Sequence, residues 1–162
     1  MADDDLNEHL LMAMAAEESK RAIHIDFVED GANLMLELAA CEHLEELPDA
    51  IVLDLRMPRL DGKRTLEELQ THPSFWRIPV IVFTSSTRVD DETSCYELGA
   101  FHFESKPGSF DGMVEFFNRV VDIASRQSIR VARTEANEVI SLVRAELLAE
   151  LEDKAAAVDA QS

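Results

Sequence analysis

The chain has 162 residues, enough for one domain and an appendage, and 46% of them are hydrophobic, which excludes a generally disordered chain. The formal net charge of −18 disfavours direct binding to DNA or RNA, because acidic side chains repel the phosphate backbone. No apolar run approaches the ~18 residues of a membrane span, and the acidic N-terminus lacks the features of a signal peptide. We therefore predict a cytoplasmic protein that contacts neither membrane nor nucleic acid.

Helix-like and strand-like segments alternate along the first 125 residues. Apolar spacing predicts helices over Leu6–Glu18, Gly31–Glu45, Lys63–Thr71, Asp90–Leu98 and Phe110–Ser125. Short apolar runs predict strands over Ala22–Val28, Ala50–Leu55, Pro79–Thr84 and Ala100–Glu104. This alternation is typical of an α/β domain with a doubly wound parallel sheet, whose ligands bind at the carboxyl ends of the strands. Trp76, in the loop before the third of these strands, is expected to be buried.

The chain beyond residue 125 differs in composition from the rest. Residues 126–154 contain no Pro or Gly, and their apolar side chains recur every three or four positions. This pattern predicts one amphipathic helix, followed by a frayed tail over residues 155–162. Two uses of the helix stay open: it packs on the domain over residues 1–125, or it pairs two subunits into a homodimer.

Chemically active side chains occupy the edge where a doubly wound sheet binds ligands. The carboxylates of Asp3–Asp5 precede the first helix, and Asp54 lies near the end of the second predicted strand. Thr84 ends the third strand and Lys106 follows the fourth. Clustered carboxylates bind Mg²⁺, a central carboxylate can attack a phosphoryl group, and an amine and a hydroxyl can bind its oxygens. The structural alternatives are a helix cap for the aspartates, a buried hydroxyl for Thr84 and a solvated amine for Lys106.

Three segments carry a specific resemblance. The stretches DAIVLDLRMPRLDG (49–62), IPVIVFTSS (78–86) and LGAFHFESKP (98–107) together resemble the CheY-like receiver domain of bacterial two-component response regulators. The resemblance implies a flavodoxin-like sheet of five parallel strands in the order 2-1-3-4-5. It also implies that Asp54 is the phosphoacceptor, and that Asp3, Asp4, Asp54 and the backbone carbonyl of Arg56 bind Mg²⁺, with Asp4 the more direct ligand of the acidic pair.

The same resemblance assigns a switch. Thr84 matches the hydroxyl that follows the phosphoryl group, Phe103 the aromatic residue that moves with it, and Lys106 the lysine that contacts the phosphate. For Phe103, packing in the core is the structural alternative.

A finer resemblance concerns partners. The stretches THPSFWRIPVIVFTSS (71–86) and SCYELGAFHFESKPGSFDGMVEF (94–116) are similar to stand-alone receivers that serve phytochrome-type sensor kinases. This implies phosphorylation by a sensor histidine kinase. In the receiver family the usual dimer or partner face is the one that matches residues 90–98, 100–104 and 110–125. We therefore expect a homodimer through this face or through the C-terminal helix.

The start of the chain departs from the family pattern. Receivers begin with a strand of about five residues, an ordinary strand length, whereas only Met1 and Ala2 precede Asp3. We therefore expect either a first strand truncated because residues upstream are missing from this sequence, or an unusual closure of the sheet such as a swapped or rearranged dimer.

Three function classes follow from these observations. The first is a single-domain response regulator, which signals by a changed protein interface and is not an enzyme. The second is a pseudo-receiver that keeps the fold but acts as an interaction or dimerisation module without phosphotransfer. It gains support if Asp3 and Asp4 cannot reach Asp54. The third, a haloacid-dehalogenase-like phosphohydrolase, needs a second Asp two residues after the nucleophile, where this chain has Arg56.

Overall fold

The structure, a computed structural model, describes residues 1–44 and 46–126, all within the compact unit Met1–Arg126. The elements with complete bounds are, in chain order, α1 (Leu6–Glu18), α2 (Gly31–His43), β1 (Ile51–Leu53), α3 (Gly62–Thr71), β2 (Val80–Thr84), α4 (Val89–Glu97) and β3 (His102–Ser105). A fifth helix, α5, begins at residue 110 and is described to residue 126. The predicted C-terminal helix over residues 126–154 and the tail over residues 155–162 lie outside the described residues, apart from residue 126.

The three strands form a parallel sheet in the order β1-β2-β3. Ile51 pairs with Val80, and Val82 pairs with Phe103. Every residue of β1 and β2 is buried, as the near-continuous apolar runs of both strands predict for a sheet that is covered on both faces.

Helices cover both faces of this sheet, so the α/β, doubly wound class predicted from sequence is confirmed. On one face, α2, α3 and α4 bury apolar side chains against the strands: Leu34, Leu38, Leu66, Leu69 and Cys95 meet Ile51, Leu53, Val80 and Val82. On the other face α1 and α5 do the same: Met12, Ala15, Ala16, Phe116 and Phe117 meet Val52, Ile81 and Phe83. The Phe83 and Phe116 rings stack with centroids 3.9 Å apart, and this contact packs α5 against β2.

In the segment before α1, Ala2 pairs with neighbouring segments on both sides. Ala2 forms parallel bridges to Val28 and to Leu53. Its amide donates to the Val52 carbonyl at 2.9 Å, and its carbonyl accepts the amide N–H of Asp54 at 3.0 Å. Ala2 is fully buried, and its small side chain fits between the neighbouring segments.

The prediction of a strand over Ala22–Val28 is wrong for most of its length, and three regular strands form the sheet of the described residues. Among the described residues, only Val28 of this segment takes part in a bridge. Val28 donates to the Met1 carbonyl at 2.9 Å and accepts the amide N–H of Asp3 at 3.0 Å. A strand is defined by its pairing partner, and here Met1–Asp3 bonds to two positions of the segment, Val28 and, through the Met1 ammonium at 2.6 Å, the Asp26 carbonyl. This is too little pairing for a regular strand over Ala22–Val28.

Aspartates begin the first three helices. The side chains of Asp5, Asp30 and Asp61 each accept an amide N–H from the first turn of α1, α2 and α3 respectively. α1 has the predicted bounds, whereas α2 ends at His43, two residues before its predicted end. None of the helices in residues 1–44 and 46–126 has the length and hydropathy that crossing a bilayer requires.

The loop before β2 is anchored by a different aromatic residue from the one expected. Phe75 is 1% exposed and stacks on His72 with ring centroids 3.7 Å apart. Trp76, predicted to be buried, is 52% exposed, and the guanidinium carbon of Arg77 lies 5.3 Å from its ring centroid. Only one of two adjacent side chains can face the core here, and Phe75 occupies that place.

Gly62, the first residue of α3, passes close to the backbone that carries Asp54. A Cβ atom at Gly62 would collide with the carbonyl oxygen of Asp54 and would lie 2.6 Å from the Cα of Leu55. The Gly62 amide also donates to the Leu55 carbonyl at 3.1 Å. A glycine is therefore required for α3 to begin at this distance from β1.

We predict that Gly62→Ala lowers the free energy of unfolding by about 1–3 kcal/mol, because the added methyl group forces the backbone of Asp54 and Leu55 to move. Urea denaturation measures this change. The matched control is Gly108→Ala, since a Cβ atom there meets nothing within 4 Å; it should change stability by no more than about 0.5 kcal/mol. Equal losses in the two variants would contradict the prediction.

Candidate functional site

Asp54 follows β1 at the carboxyl edge of the sheet. The residue is 6% exposed, and its Oδ1 accepts the amide N–H of Leu55 at 2.7 Å. Burial raises the pKa of the Asp54 carboxyl above its ordinary value, although the Lys106 ammonium and the Thr84 hydroxyl act in the opposite direction. The sheet edge therefore holds one enclosed carboxyl group beside a cation and a hydroxyl.

Asp3 and Asp4 reach Asp54 because Ala2 is paired in the sheet directly before them. The Asp3 side chain is 1% exposed, and its Oδ1 accepts the amide N–H of Asp5 at 3.0 Å, whereas Asp4 is exposed. One carboxylate oxygen from each of Asp3, Asp4 and Asp54 lies within 4.8 Å of the other two. Three oxygen donors at this spacing fit a hard divalent cation such as Mg²⁺.

Lys106 brings a positive charge into this acidic pocket. Its amide donates to the Thr84 carbonyl at 2.8 Å, which ties the residue to the end of β2. Its Nζ donates to Asp3 Oδ2 at 2.6 Å and lies 3.9 Å from Asp54 Oδ2. Although burial alone lowers the pKa of Lys106, the hydrogen bond to Asp3 and the charges of Asp54, Asp3 and Glu8 raise it above its ordinary value.

Thr84 is the last residue of β2 and is fully buried beside Asp54. Its Oγ1 accepts the amide N–H of Ser86 at 3.3 Å. The Ser86 hydroxyl donates to Asp91 Oδ2 at 2.6 Å, and Lys63 Nζ donates to Asp91 Oδ1 at 2.8 Å. The Thr84 hydroxyl is thus the first member of a chain of polar contacts that extends to α4 and α3.

Phe103 lies on β3, away from the carboxylates. It pairs with Val82, while Thr84 pairs with Ser105. Because Thr84 and Val82 are two positions apart on one strand, their side chains and that of Phe103 belong to the same face of the sheet. Phe103 is half-buried and packs against the core on that face, and its amide donates to the Tyr96 hydroxyl at 3.2 Å.

Arg56 stands two residues after Asp54. Its exposed side chain donates from Nη2 to the Ser85 Oγ at 3.0 Å, which joins the loop after β1 to the loop after β2.

Glu8 belongs to this site, although sequence reasoning gave it no role. It lies in the first turn of α1, and its Oε1 is buried and has no hydrogen-bond partner among the described residues. This oxygen lies 3.8 Å from Lys106 Nζ. Burial raises the pKa of Glu8, and the charges of Asp3, Asp5 and Asp54 act in the same direction against that of Lys106. A possible sequence signal was its position one helical turn beyond the acidic run at residues 3–5.

His9 also supports the site. Its Nε2 lies 2.6 Å from the Asp3 carbonyl oxygen, and its ring stacks on Phe27 with centroids 4.7 Å apart. Since a carbonyl oxygen can only accept, this Nε2 carries the proton. His9 therefore helps to fix the backbone at Asp3.

A protein-family model matches most of the chain. Residues 1–118 match the model described as the response regulator receiver domain. The chain belongs to this receiver family. The resemblance in the three quoted segments is therefore confirmed.

The chain is also similar to curated proteins over part of its length. The DNA-binding transcriptional regulator NtrC of Escherichia coli K12 is 34% identical over 94 residues, which are 57% of this chain and 18% of NtrC. The chain therefore spans less than a fifth of that relative. Response regulator Rcp1 of Synechocystis is 45% identical over 51 residues, 32% of this chain and 35% of Rcp1.

Solved structures share the fold over most of this receiver. The phosphorylated cyanobacterial phytochrome response regulator RcpA is 26% identical with a TM-score of 0.66, over 74% of this chain and 86% of RcpA. The Mn²⁺-bound form of Rcp1 is 27% identical with a TM-score of 0.61, over 71% of this chain and 84% of that protein. The finer likeness to phytochrome response regulators is thus also confirmed.

Because the pKa of Asp54 is raised, we predict that its ionisation destabilises the folded protein by an amount that depends on pH. The folded state binds the proton more tightly than the unfolded state, whose carboxyl titrates near about 3.9. Wild type should therefore lose stability relative to Asp54→Asn as the pH rises from about 4 through the folded pKa. Urea denaturation of both proteins in EDTA, between about pH 4 and 7.5, measures this difference.

The control is Asp49→Asn, which removes an exposed carboxylate from the loop before β1. The pH dependence of its stability should follow that of wild type. A stability advantage of Asp54→Asn that shrinks as the pH rises would show that the sign is wrong.

Proposed function

We propose that this receiver is a single-domain response regulator that accepts a phosphoryl group on Asp54 from a sensor histidine kinase. The observation that carries the proposal is the placement of the Asp54 carboxyl beside two further aspartates and the Lys106 ammonium. Such a pocket supplies a nucleophile and a positive charge to offset the phosphoryl oxygens.

The geometry around Asp54 favours one of its two oxygens as the nucleophile. Oδ1 already accepts the Leu55 amide N–H, whereas Oδ2 faces Lys106 Nζ at 3.9 Å. In the transfer, a bond forms between Asp54 Oδ2 and phosphorus while the bond from phosphorus to the kinase histidine nitrogen breaks. The imidazole leaves with the electron pair of that bond, and Lys106 and Thr84 bind the phosphoryl oxygens of the product.

A divalent cation, Mg²⁺ in this proposal, would be held by Asp3, Asp4, Asp54 and the backbone carbonyl of Arg56. When bound, it supplies positive charge that offsets the charge on the incoming phosphoryl group. Asp4 is the more available member of the acidic pair, since Asp3 already holds Lys106 and the Asp5 amide.

Phosphorylation would act through Thr84 and Phe103. The phosphoryl group adds nearly two negative charges and strong acceptors next to Thr84. A movement of the Thr84 hydroxyl toward the phosphate breaks its contact with the Ser86 amide, and Phe103 on the same face of the sheet repacks. The surface formed by α4, β3 and α5 changes as a result, and signalling proceeds through this surface rather than through catalysis on another substrate.

The partners follow from the same proposal. The likeness to RcpA, described as a phytochrome response regulator, supports a phytochrome-type kinase. A homodimer through the C-terminal helix, residues 126–154, stays a prediction. For the surface formed by α4, β3 and α5, the exposure of Tyr96 at 44% and of Phe101 at 45% supports a role in contacts between proteins. The net charge of −18 disfavours direct binding to nucleic acid.

The pseudo-receiver is the alternative function. It would gain support if Asp3 and Asp4 could not reach Asp54. The oxygens of the three carboxylates lie within 4.8 Å of one another, which supports phosphotransfer instead.

The proposal predicts that Asp54→Asn abolishes phosphorylation by acetyl phosphate in the presence of Mg²⁺, because the amide cannot form the acyl phosphate. Intact-mass spectrometry of the full chain measures the labelled fraction. Asp49→Asn removes an exposed carboxylate in the same segment and should label like wild type. Labelling of Asp54→Asn at the wild-type stoichiometry would place the acceptor elsewhere.

A second prediction separates phosphorylation from switching. Thr84→Ala should still be labelled at Asp54, but the backbone amide signals of Ser86, Asp91 and Phe103 should shift much less on labelling than in wild type. ¹H–¹⁵N NMR spectra before and after acetyl phosphate measure this. Wild-type shifts in the labelled variant would refute the role of Thr84.

A further inference from the structure

Asp3 has two functions at once in the proposed site. Its Oδ2 accepts the Lys106 ammonium at 2.6 Å, and the same carboxylate is one of three that converge within 4.8 Å. A divalent cation that binds the Asp3 carboxylate competes with the ammonium group for it. Cation binding is therefore favoured when Lys106 loosens its contact with Asp3.

Two other acceptors lie close to Lys106. Asp54 Oδ2 is 3.9 Å from Nζ, but this oxygen is the proposed nucleophile. Glu8 Oε1 is 3.8 Å from Nζ, is buried, and accepts no hydrogen bond from the described residues. A buried carboxylate oxygen without a partner is costly, so a donor that moves toward it is stabilised.

Glu8 is not itself among the clustered ligands. The residues whose oxygens converge within 4.8 Å, in the described part of the chain, are Asp3, Asp4 and Asp54. Glu8 belongs to the first turn of α1, beyond its cap Asp5. Its contact with the site is made through Lys106.

We propose that Glu8 is a positioning residue that receives the Lys106 ammonium when a divalent cation takes the Asp3 carboxylate. This inference rests on the proposed function, since it assumes that the cation binds there. In this arrangement Glu8 lowers the cost of displacing Lys106 from Asp3. It also keeps the ammonium within the pocket, ready for the phosphoryl oxygens.

The test is the affinity of the full chain for Mg²⁺, measured by calorimetric titration with no phosphoryl donor present. Glu8→Gln should weaken binding roughly tenfold, the equivalent of one charge-assisted hydrogen bond, because Lys106 then stays on Asp3. The matched control is Asp5→Asn, which removes one negative charge close to the site. Asp5 also interacts electrostatically with Lys106 and Glu8. Asn caps a helix as well as Asp does, and we expect at most about a twofold loss.

The deciding experiment measures the effect of Glu8→Gln on Mg²⁺ affinity in a protein that also carries Lys106→Met. With the ammonium removed, Asp3 is free, so Glu8→Gln should cost no more than the Asp5→Asn control does. The double variant also serves as the folding control, because Mg²⁺ binding equal to that of Lys106→Met shows an intact pocket. A tenfold loss that persists without Lys106 would mean that Glu8 acts on the cation directly, and an unchanged affinity in the single variant would overturn the proposal. If wild type itself binds no Mg²⁺, the proposed function fails first.

Discussion

The ammonium group of Lys106 is the contact that makes the carboxyl pocket possible. It lies within 4 Å of carboxylate oxygens from Asp3, Asp54 and Glu8, and Asp4 adds a fourth acid at the rim. Two like charges 4 Å apart repel by about 4 kcal/mol at an effective dielectric constant of about 20. The Lys106 ammonium offsets part of this repulsion, and a divalent ion bound in the proposed site would relieve the remainder. In the proposed function, metal binding and phosphoryl acceptance would thus have the same electrostatic origin.

Much of this site could be predicted from the sequence, because parallel strands bring their carboxyl ends to one edge. Asp54, Thr84 and Lys106 were identified from their positions at strand ends, and the structure places them together. Glu8 could not be found in this way, because its importance depends on a distance to Lys106 that only the packing of α1 against the sheet defines.

The errors in the fold prediction have a similar cause. The apolar pattern of Ala22–Val28 is suited to a strand, yet a strand exists only where a partner offers hydrogen bonds, and in this segment the bridge to Ala2 is made at Val28. Trp76 was expected to be buried because it is aromatic, but its neighbour Phe75 occupies the core. In both cases a local property was read correctly, and the tertiary environment decided the outcome.

The exposed position of Trp76 determines how this protein can be observed. It is the sole tryptophan of the chain, and it precedes β2, whereas the carboxyl pocket follows the other end of that strand. Intrinsic emission therefore reports on the loop beside Arg77 and is insensitive to purely local events at the pocket. An emission change upon ligand addition would accordingly indicate that the effect of the ligand extends beyond the pocket to this loop.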